Sequence, residues 1–135
     1  MKRITPIDLI KIAASVTKRR QLGENSAGSV GCALLSEKGK VFTGVCIDTS
    51  SSMGFCAEHN AIGSMVTAGE SRIKMIVAVG KNEKGKICVL HPCGRCREFI
   101  HQIDERNMET DVVLGKNRTV KLKELLPYKD DYSVV

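Results

Sequence analysis

The chain has 135 residues, about the length of one domain, and 42% of them are hydrophobic, which is enough for one core. We therefore expect a single domain over residues 1–135. Its 21 Lys and Arg against 15 Asp and Glu give a net charge of +6, which is spread along the chain. Three Phe, two Tyr and no Trp are too few for a protein that binds single strands by base stacking.

The first residues, Met-Lys-Arg-Ile-Thr-Pro, lead into no apolar segment, and no run approaches the roughly 18 apolar residues that span a bilayer. We expect no secretory signal, no membrane association and a cytoplasmic location. In that reducing compartment the six cysteines stay mostly thiols. They are then metal ligands, nucleophiles or small core residues rather than disulfides.

The helix and strand patterns alternate along the chain, starting at a helix that Thr5, Pro6 and Asp8 mark with capping chemistry. The predicted elements are, in order, a helix over 6–20, a loop over 23–28, strands over 30–35 and 41–47, a helix over 57–68, a strand over 73–79, a short extended piece from Val89, a helix over 94–105, strands over 110–114 and 120–122, and a helical turn over 123–126. This order predicts an α/β fold, with helices covering one mixed sheet of about five strands.

Two cysteine motifs open the second and third predicted helices. The first is Cys56-Ala57-Glu58, and the second is the C-x-x-C pair Cys93 and Cys96. The free N–H groups and the dipole at a helix start favour thiolates. Two helices side by side would bring their N-termini to the same end of the sheet. The three thiolates could then converge on one zinc ion.

Three protein ligands are typical of a catalytic zinc site, because the fourth tetrahedral position stays open for water. Zinc lowers the pKa of that water towards neutrality. Glu58 lies two residues from Cys56, so its carboxylate could take the proton from the water and deliver it to a substrate. We therefore predict Glu58 as the catalytic residue.

Other interpretations of the cysteines remain open. The C-x-x-C pair alone could be a redox pair, although this leaves Cys56 and Glu58 unexplained. A fourth ligand from Cys88, His91 or His59 would close the site and make it structural. Cysteines in the strand-like segments, Cys32 and Cys46, are more often small core residues than ligands.

The motif C-A-E, with P-C-x-x-C beginning 34 residues after Glu58, resembles the zinc-dependent deaminase superfamily. A cysteine in the first motif is similar to the free-nucleoside branch of cytidine deaminase and blasticidin S deaminase. Residues 30–34 resemble the V-G-A-A-L strand of cytidine deaminases, and residues 41–45 resemble the F-T-G-V strand of blasticidin S deaminase. The tail over 124–127, Glu-Leu-Leu-Pro, is similar to both.

The resemblance implies a three-layer α/β/α fold, a homotetramer and one zinc ion per chain. In the family, residues matching Cys56, Cys93 and Cys96 hold the zinc, and the residue matching Glu58 shuttles protons. Zinc-activated water attacks C4 of a cytosine ring, and ammonia leaves to give the uracil form. We therefore expect a hydrolase that deaminates a free cytosine nucleoside or a nucleoside analogue.

The chain departs from cytidine deaminases at three places. Cys46-Ile47-Asp48 stands where they read ribose with N-I-E, so Cys46 and Asp48 are the expected substrate-binding residues. Gly28 stands where a phenylalanine walls the base pocket, and His59 replaces an arginine that offsets the thiolate charge. We expect weaker selection for ordinary cytidine and extra space at Gly28.

These departures leave alternatives in substrate and class. A blasticidin S or modified-cytosine deaminase is one alternative within the same reaction. A nucleic-acid deaminase fits the charge of +6 but not the scarcity of aromatic residues. A non-catalytic zinc protein would need no carboxylate at Glu58.

Overall fold

The computed structural model describes residues 3–129 and 132–135. Its first helix, α1 (Pro6–Val16), begins as predicted: the Thr5 hydroxyl accepts from the Asp8 N–H, and the Thr5 N–H donates to the Asp8 carboxylate at 2.9 Å. The other elements are β1 (Arg20–Leu22), β2 (Asn25–Ser36), β3 (Val41–Asp48), α2 (Ala57–Thr67), β4 (Ile73–Lys81), β5 (Ile87–Leu90), α3 (Gly94–Ile103), a 3-10 turn (Glu105–Glu109), β6 (Asp111–Gly115), β7 (Arg118–Lys121) and α4 (Leu122–Leu125).

The described strands form one mixed sheet of seven strands rather than about five. Its main path runs β3-β2-β4-β6-β7, while β1 lies beside the start of β2 and β5 beside the end of β4. Only the β4–β6 pair is parallel among the described pairings. The predicted α/β class with a mixed sheet is confirmed.

The start of the chain differs from the prediction. The helix expected over 6–20 ends at Val16, and the loop expected over 23–28 belongs largely to a hairpin, in which β1 pairs with residues 25–27. The reason lies outside the segment: β3 also pairs with residues 26 and 27, so the backbone there gains partners on both sides. Long-range pairing of this kind overrides weak local preference.

Helices cover both faces of the sheet, so the predicted three-layer arrangement is confirmed. Alternate residues of β2 point to opposite faces and are buried on both, as in a central strand. On the face of the sheet that α1 covers, Leu9 and Ala13 of the helix pack against Ala33, Leu35, Met75, Val77, Val79 and Val113. The opposite face packs Ala61, Ile62, Met65, Ile100 and Leu122 of α2, α3 and α4 against Cys32, Leu34, Ile76 and Val112.

The position of α2 on the sheet depends on Gly44 in β3. A Cβ atom at Gly44 would overlap the backbone N–H of Ala61, so only glycine lets the helix lie this close. Asn60 adds a hydrogen bond from its side-chain amide to the Val45 carbonyl at 3.1 Å. These contacts hold the first turn of α2, where Cys56 and Glu58 lie, against the end of the sheet.

Among the described residues, none of the helices combines the length and the apolar character needed to cross a bilayer.

Candidate active site

Cys56 and Cys93 each occupy the N-cap position of a helix, α2 and α3 respectively. Neither side chain makes the usual capping hydrogen bond to its own helix. Their thiols instead approach each other, with 3.7 Å between the Sγ atoms. Cys96, in the first turn of α3, places its Sγ 3.6 Å from that of Cys93. The structure thus brings together the three cysteines that the sequence singled out.

The spacing of these sulfur atoms fits a zinc ion. Tetrahedral coordination with Zn–S bonds of about 2.3 Å separates the sulfur atoms by roughly 3.8 Å. All three Sγ atoms lie within 4.8 Å of one another. Within the described part of the chain, Cys88, His91 and His59 do not belong to this group. A metal held here would have three thiolate ligands and one position left for a non-protein ligand.

The electrostatics of the cluster also favour a cation. Burial raises the pKa of the Cys56 and Cys96 thiols, and the nearby Glu58 carboxylate raises both further. Burial also acts to raise the pKa of Cys93, but hydrogen bonds, including those from the backbone N–H groups of Cys96 and Arg95, bring it below its ordinary value. Three thiols and a carboxylate packed this closely cannot all ionise without a positive charge among them.

Glu58 lies in the first turn of α2, beside the thiol cluster, and its residue surface is only 6% exposed. The residue lines a cavity together with Cys56 and Cys93. Burial raises the pKa of its carboxyl above the ordinary value. A raised pKa suits a group that must both accept and release a proton near neutral pH.

His59 contacts the cluster from the side. Its Nδ1 atom lies 3.5 Å from Cys96 Sγ, within reach of an N–H···S hydrogen bond in the Nδ1–H tautomer. The imidazole stacks on Phe99 with 4.3 Å between ring centroids and planes 4° apart. Burial, with a smaller contribution from Arg95, lowers the pKa of His59, which favours the neutral ring. The sequence indicated that His59 stands where cytidine deaminases have an arginine, but it did not indicate the contact between His59 and Cys96.

Cys56, Cys93 and Glu58 line a cavity of about 480 Å³. Cys46 and Asp48, the expected substrate-binding residues, both line it. So do Ser29, Phe55, His91 and Arg95, of which only His91 is a candidate from the sequence, and then as a metal ligand. Ser29 comes from a segment without a chemical motif, so no local signal marks it. Phe55 directly precedes the Cys56-Ala57-Glu58 motif and was identifiable from that position. Arg95 lies inside the C-x-x-C pair and was identifiable from that position.

The interpretation of Gly28 was wrong. Gly28 is absent from the cavity lining, and a side chain built on it would point at the Lys18 backbone, so the missing side chain opens no space in the cavity. Its φ of +88° lies in the left-handed region, and a Cβ atom would overlap the Lys18 carbonyl. The glycine is required by the backbone, at the bulge where the β2–β3 register shifts.

Comparison with known proteins agrees with this geometry. Residues 5–112 match the family described as the cytidine and deoxycytidylate deaminase zinc-binding region. The chain therefore belongs to this family, and the predicted membership of the deaminase superfamily is confirmed. The zinc cofactor is confirmed as well, by the family and by a thiol cluster of matching geometry.

Relatives of this chain include a blasticidin-S deaminase and a cytidine deaminase. The chain is 30% identical over 131 residues to blasticidin-S deaminase of Bacillus cereus, covering 93% of this chain and 94% of the relative. It is 33% identical over 105 residues to cytidine deaminase of Sporosarcina psychrophila, covering 76% and 74%. The crystal structure of cytidine deaminase from Burkholderia pseudomallei superposes with a TM-score of 0.72 at 27% identity, covering 95% and 99%.

Proposed function

We propose that the protein is a zinc-dependent hydrolase that converts a free cytosine nucleoside, or a cytosine-nucleoside analogue, to the uracil form with release of ammonia. The single observation that carries this proposal is the buried Glu58 carboxylate beside three converging thiols, two of which, Cys56 and Cys93, line the same cavity as Glu58. Relatives named cytidine deaminase and blasticidin-S deaminase support the same reaction.

The roles proposed for individual residues follow from this arrangement. Cys56, Cys93 and Cys96 hold the zinc, which when bound supplies the Lewis acidity that makes water nucleophilic at neutral pH. Glu58 takes one proton from the attacking water and delivers it to N3 of the cytosine ring as the hydroxide adds to C4. It then takes the second proton from the new C4 hydroxyl and passes it to the amine, so that the C4–N bond breaks and ammonia leaves. A buried carboxylate suits this relay, because bulk solvent does not take the proton that the carboxylate carries between the water and the substrate.

The cavity supports a small substrate over the alternatives. A volume of about 480 Å³ falls in the range of small-molecule sites, roughly 300–1,000 Å³. A structural zinc site needs neither a cavity nor a buried carboxylate. A nucleic-acid deaminase would be favoured by several large aromatic stacking platforms, and among the lining residues that the structure describes Phe55 alone is a Phe, Tyr or Trp.

Further parts of the proposal concern organisation and substrate. The chain is proposed to act as one domain over 1–135, as a homotetramer and in the cytoplasm, without nucleic acid or membrane as a partner. Cys46 and Asp48 are proposed to contact the substrate. Weaker selection for ordinary cytidine remains a prediction and now depends on Cys46, because Gly28 adds no space.

The test is an ammonia-release screen of the zinc-loaded protein over cytidine, deoxycytidine, cytosine, blasticidin S and ring-modified cytidines. We expect release from at least one nucleoside or analogue and none after removal of zinc by a chelator. Absence of release from every cytosine compound, with zinc bound at one ion per chain, would overturn the proposed function.

A further inference from the structure

The three thiols of the cluster differ in their access to solvent. Cys93 is exposed and lines the cavity, Cys56 is half-buried, and Cys96 is completely buried. A small oxidant that enters from solvent therefore reaches the Cys93 sulfur first. The susceptibility of a cysteine to oxidation increases with its exposure, so Cys93 is the thiol of the cluster at which oxidation begins.

Cys93 and Cys96 belong to the start of one helix and are placed to form a disulfide. Their Sγ atoms are 3.6 Å apart, and a disulfide of about 2.05 Å requires them to approach by roughly 1.5 Å. The Cys93 side chain makes no capping hydrogen bond that would hold it away. Since both residues lie at the start of α3, the bond can form by side-chain rotation, without movement of one helix against another.

Cys56 is nearly as close to Cys93, with 3.7 Å between the Sγ atoms, but it lies on α2. That helix is held against β3 by the close approach at Gly44 and by the hydrogen bond of the Asn60 amide. A bond between Cys56 and Cys93 would therefore strain the packing of α2. The geometry favours Cys96 as the partner of Cys93.

We propose that Cys93 and Cys96 form a peroxide-sensitive dithiol, whose oxidation to a disulfide releases the zinc reversibly. The same two residues then have two roles, as metal ligands when reduced and as a redox pair when oxidised. This property goes beyond the deaminase function and does not depend on turnover of any substrate.

The chemistry balances with hydrogen peroxide as the oxidant. The Cys93 thiolate attacks one peroxide oxygen, the O–O bond breaks, and a sulfenic acid and a hydroxide ion result. The Cys96 thiolate then attacks the Cys93 sulfur, so that the S–S bond forms and the S–O bond breaks with loss of a second hydroxide. The two sulfurs lose two electrons, the peroxide gains them, and two protons from solvent convert both hydroxides to water. Cys56 is then the one cluster thiol left for the metal, which is too few to hold it.

The experiment treats the zinc-loaded protein with a small excess of hydrogen peroxide, without substrate. A chromophoric chelator measures released zinc, thiol titration counts the remaining thiols, and peptide mass mapping locates the disulfide. We expect the loss of the bound zinc together with two of the six thiols, and a bond between Cys93 and Cys96. Dithiothreitol followed by added zinc should restore the thiols and the bound metal.

Cys88→Ser is the matched control, because Cys88 is a half-buried thiol on β5 outside the cluster. It should release zinc and lose two thiols as the wild type does. Cys56→Ser keeps both reacting thiols and should form the same disulfide with or without metal. Cys93→Ser should form no disulfide within α3.

Three results would overturn the inference: zinc that stays bound after the thiols are oxidised, a disulfide between Cys56 and Cys93 in place of the predicted one, and a loss of thiols that dithiothreitol does not reverse. Failure of the ammonia-release screen bears on the proposed function alone, because zinc and thiols are counted here without a substrate.

Discussion

The Sγ atoms of Cys56 and Cys93 lie 3.7 Å apart although 37 positions separate the residues in the chain. Each cysteine is the N-cap of its helix, and α2 and α3 lie on the same face of the sheet. A metal bound between them therefore adds a direct link between two helices that β4 and β5 separate along the chain. Metal binding and fold stability are consequently coupled.

Replacement of Cys93 by Ala should remove the zinc and lower the unfolding temperature. The remaining two thiols cannot hold the ion tightly, and the link between α2 and α3 is lost. Metal content by mass spectrometry and thermal unfolding measure the two effects. Cys88→Ala is the control, since Cys88 lies outside the thiol cluster and should keep about one zinc per chain. Full zinc retention in Cys93→Ala would contradict the assignment.

Glu58→Gln should keep zinc and fold but lose activity by at least about 10²–10⁴-fold, mainly in kcat. Glutamine preserves the shape of the side chain but cannot carry a proton at neutral pH. Steady-state kinetics with the best substrate from the screen measure the loss. Glu83→Gln changes an exposed loop carboxylate and should be neutral. Activity of Glu58→Gln within about tenfold of wild type would exclude the carboxylate as the proton relay.

His59→Phe should weaken zinc binding by about 10–100-fold, the usual effect of losing a group that hydrogen-bonds a ligand. Phenylalanine keeps an aromatic ring stacked on Phe99 but removes the Nδ1 that contacts Cys96 Sγ. Competition with a chromophoric chelator measures the affinity. Phe99→Leu, which removes the stacking and keeps the imidazole, should have the smaller effect. Unchanged zinc affinity in His59→Phe would show that the contact does not stabilise the thiolate.

Gly28→Ala should destabilise the protein more than Gly39→Ala. The two glycines have nearly the same backbone angle, with φ of +88° and +86°, so both substitutions cost about 1–2 kcal/mol from the left-handed conformation. Only at Gly28 does the new Cβ meet backbone, the Lys18 carbonyl, whereas no atom lies within 4 Å at Gly39. Urea unfolding of both zinc-loaded variants measures the difference. Equal losses of stability would mean that the bulge relaxes freely.

Much of the site was predictable because its signals are local. Helix starts are marked by residues within one turn, and the positions of Cys56, Glu58, Cys93 and Cys96 at those starts already imply thiols and a carboxylate at two helix N-termini. The run of apolar residues in β4 likewise predicts that both faces of this strand are buried. The metal centre therefore follows from sequence plus the single assumption that the two helices are neighbours.

Other features depend on contacts between distant segments, which leave no local signal. The hairpin of β1 and β2 forms because β3 pairs with the same residues of β2. Gly28 is required by the backbone of the bulge in β2 and does not shape the cavity. His59 reaches Cys96, and Ser29 reaches Cys46, only once the layers are packed. The chemistry of the proposed reaction centre was readable from the sequence, because residues at the first turn of each of two helices carry it. The tertiary structure alone decided which side chains surround that centre, because strand pairing and helix packing bring them there from separate parts of the chain.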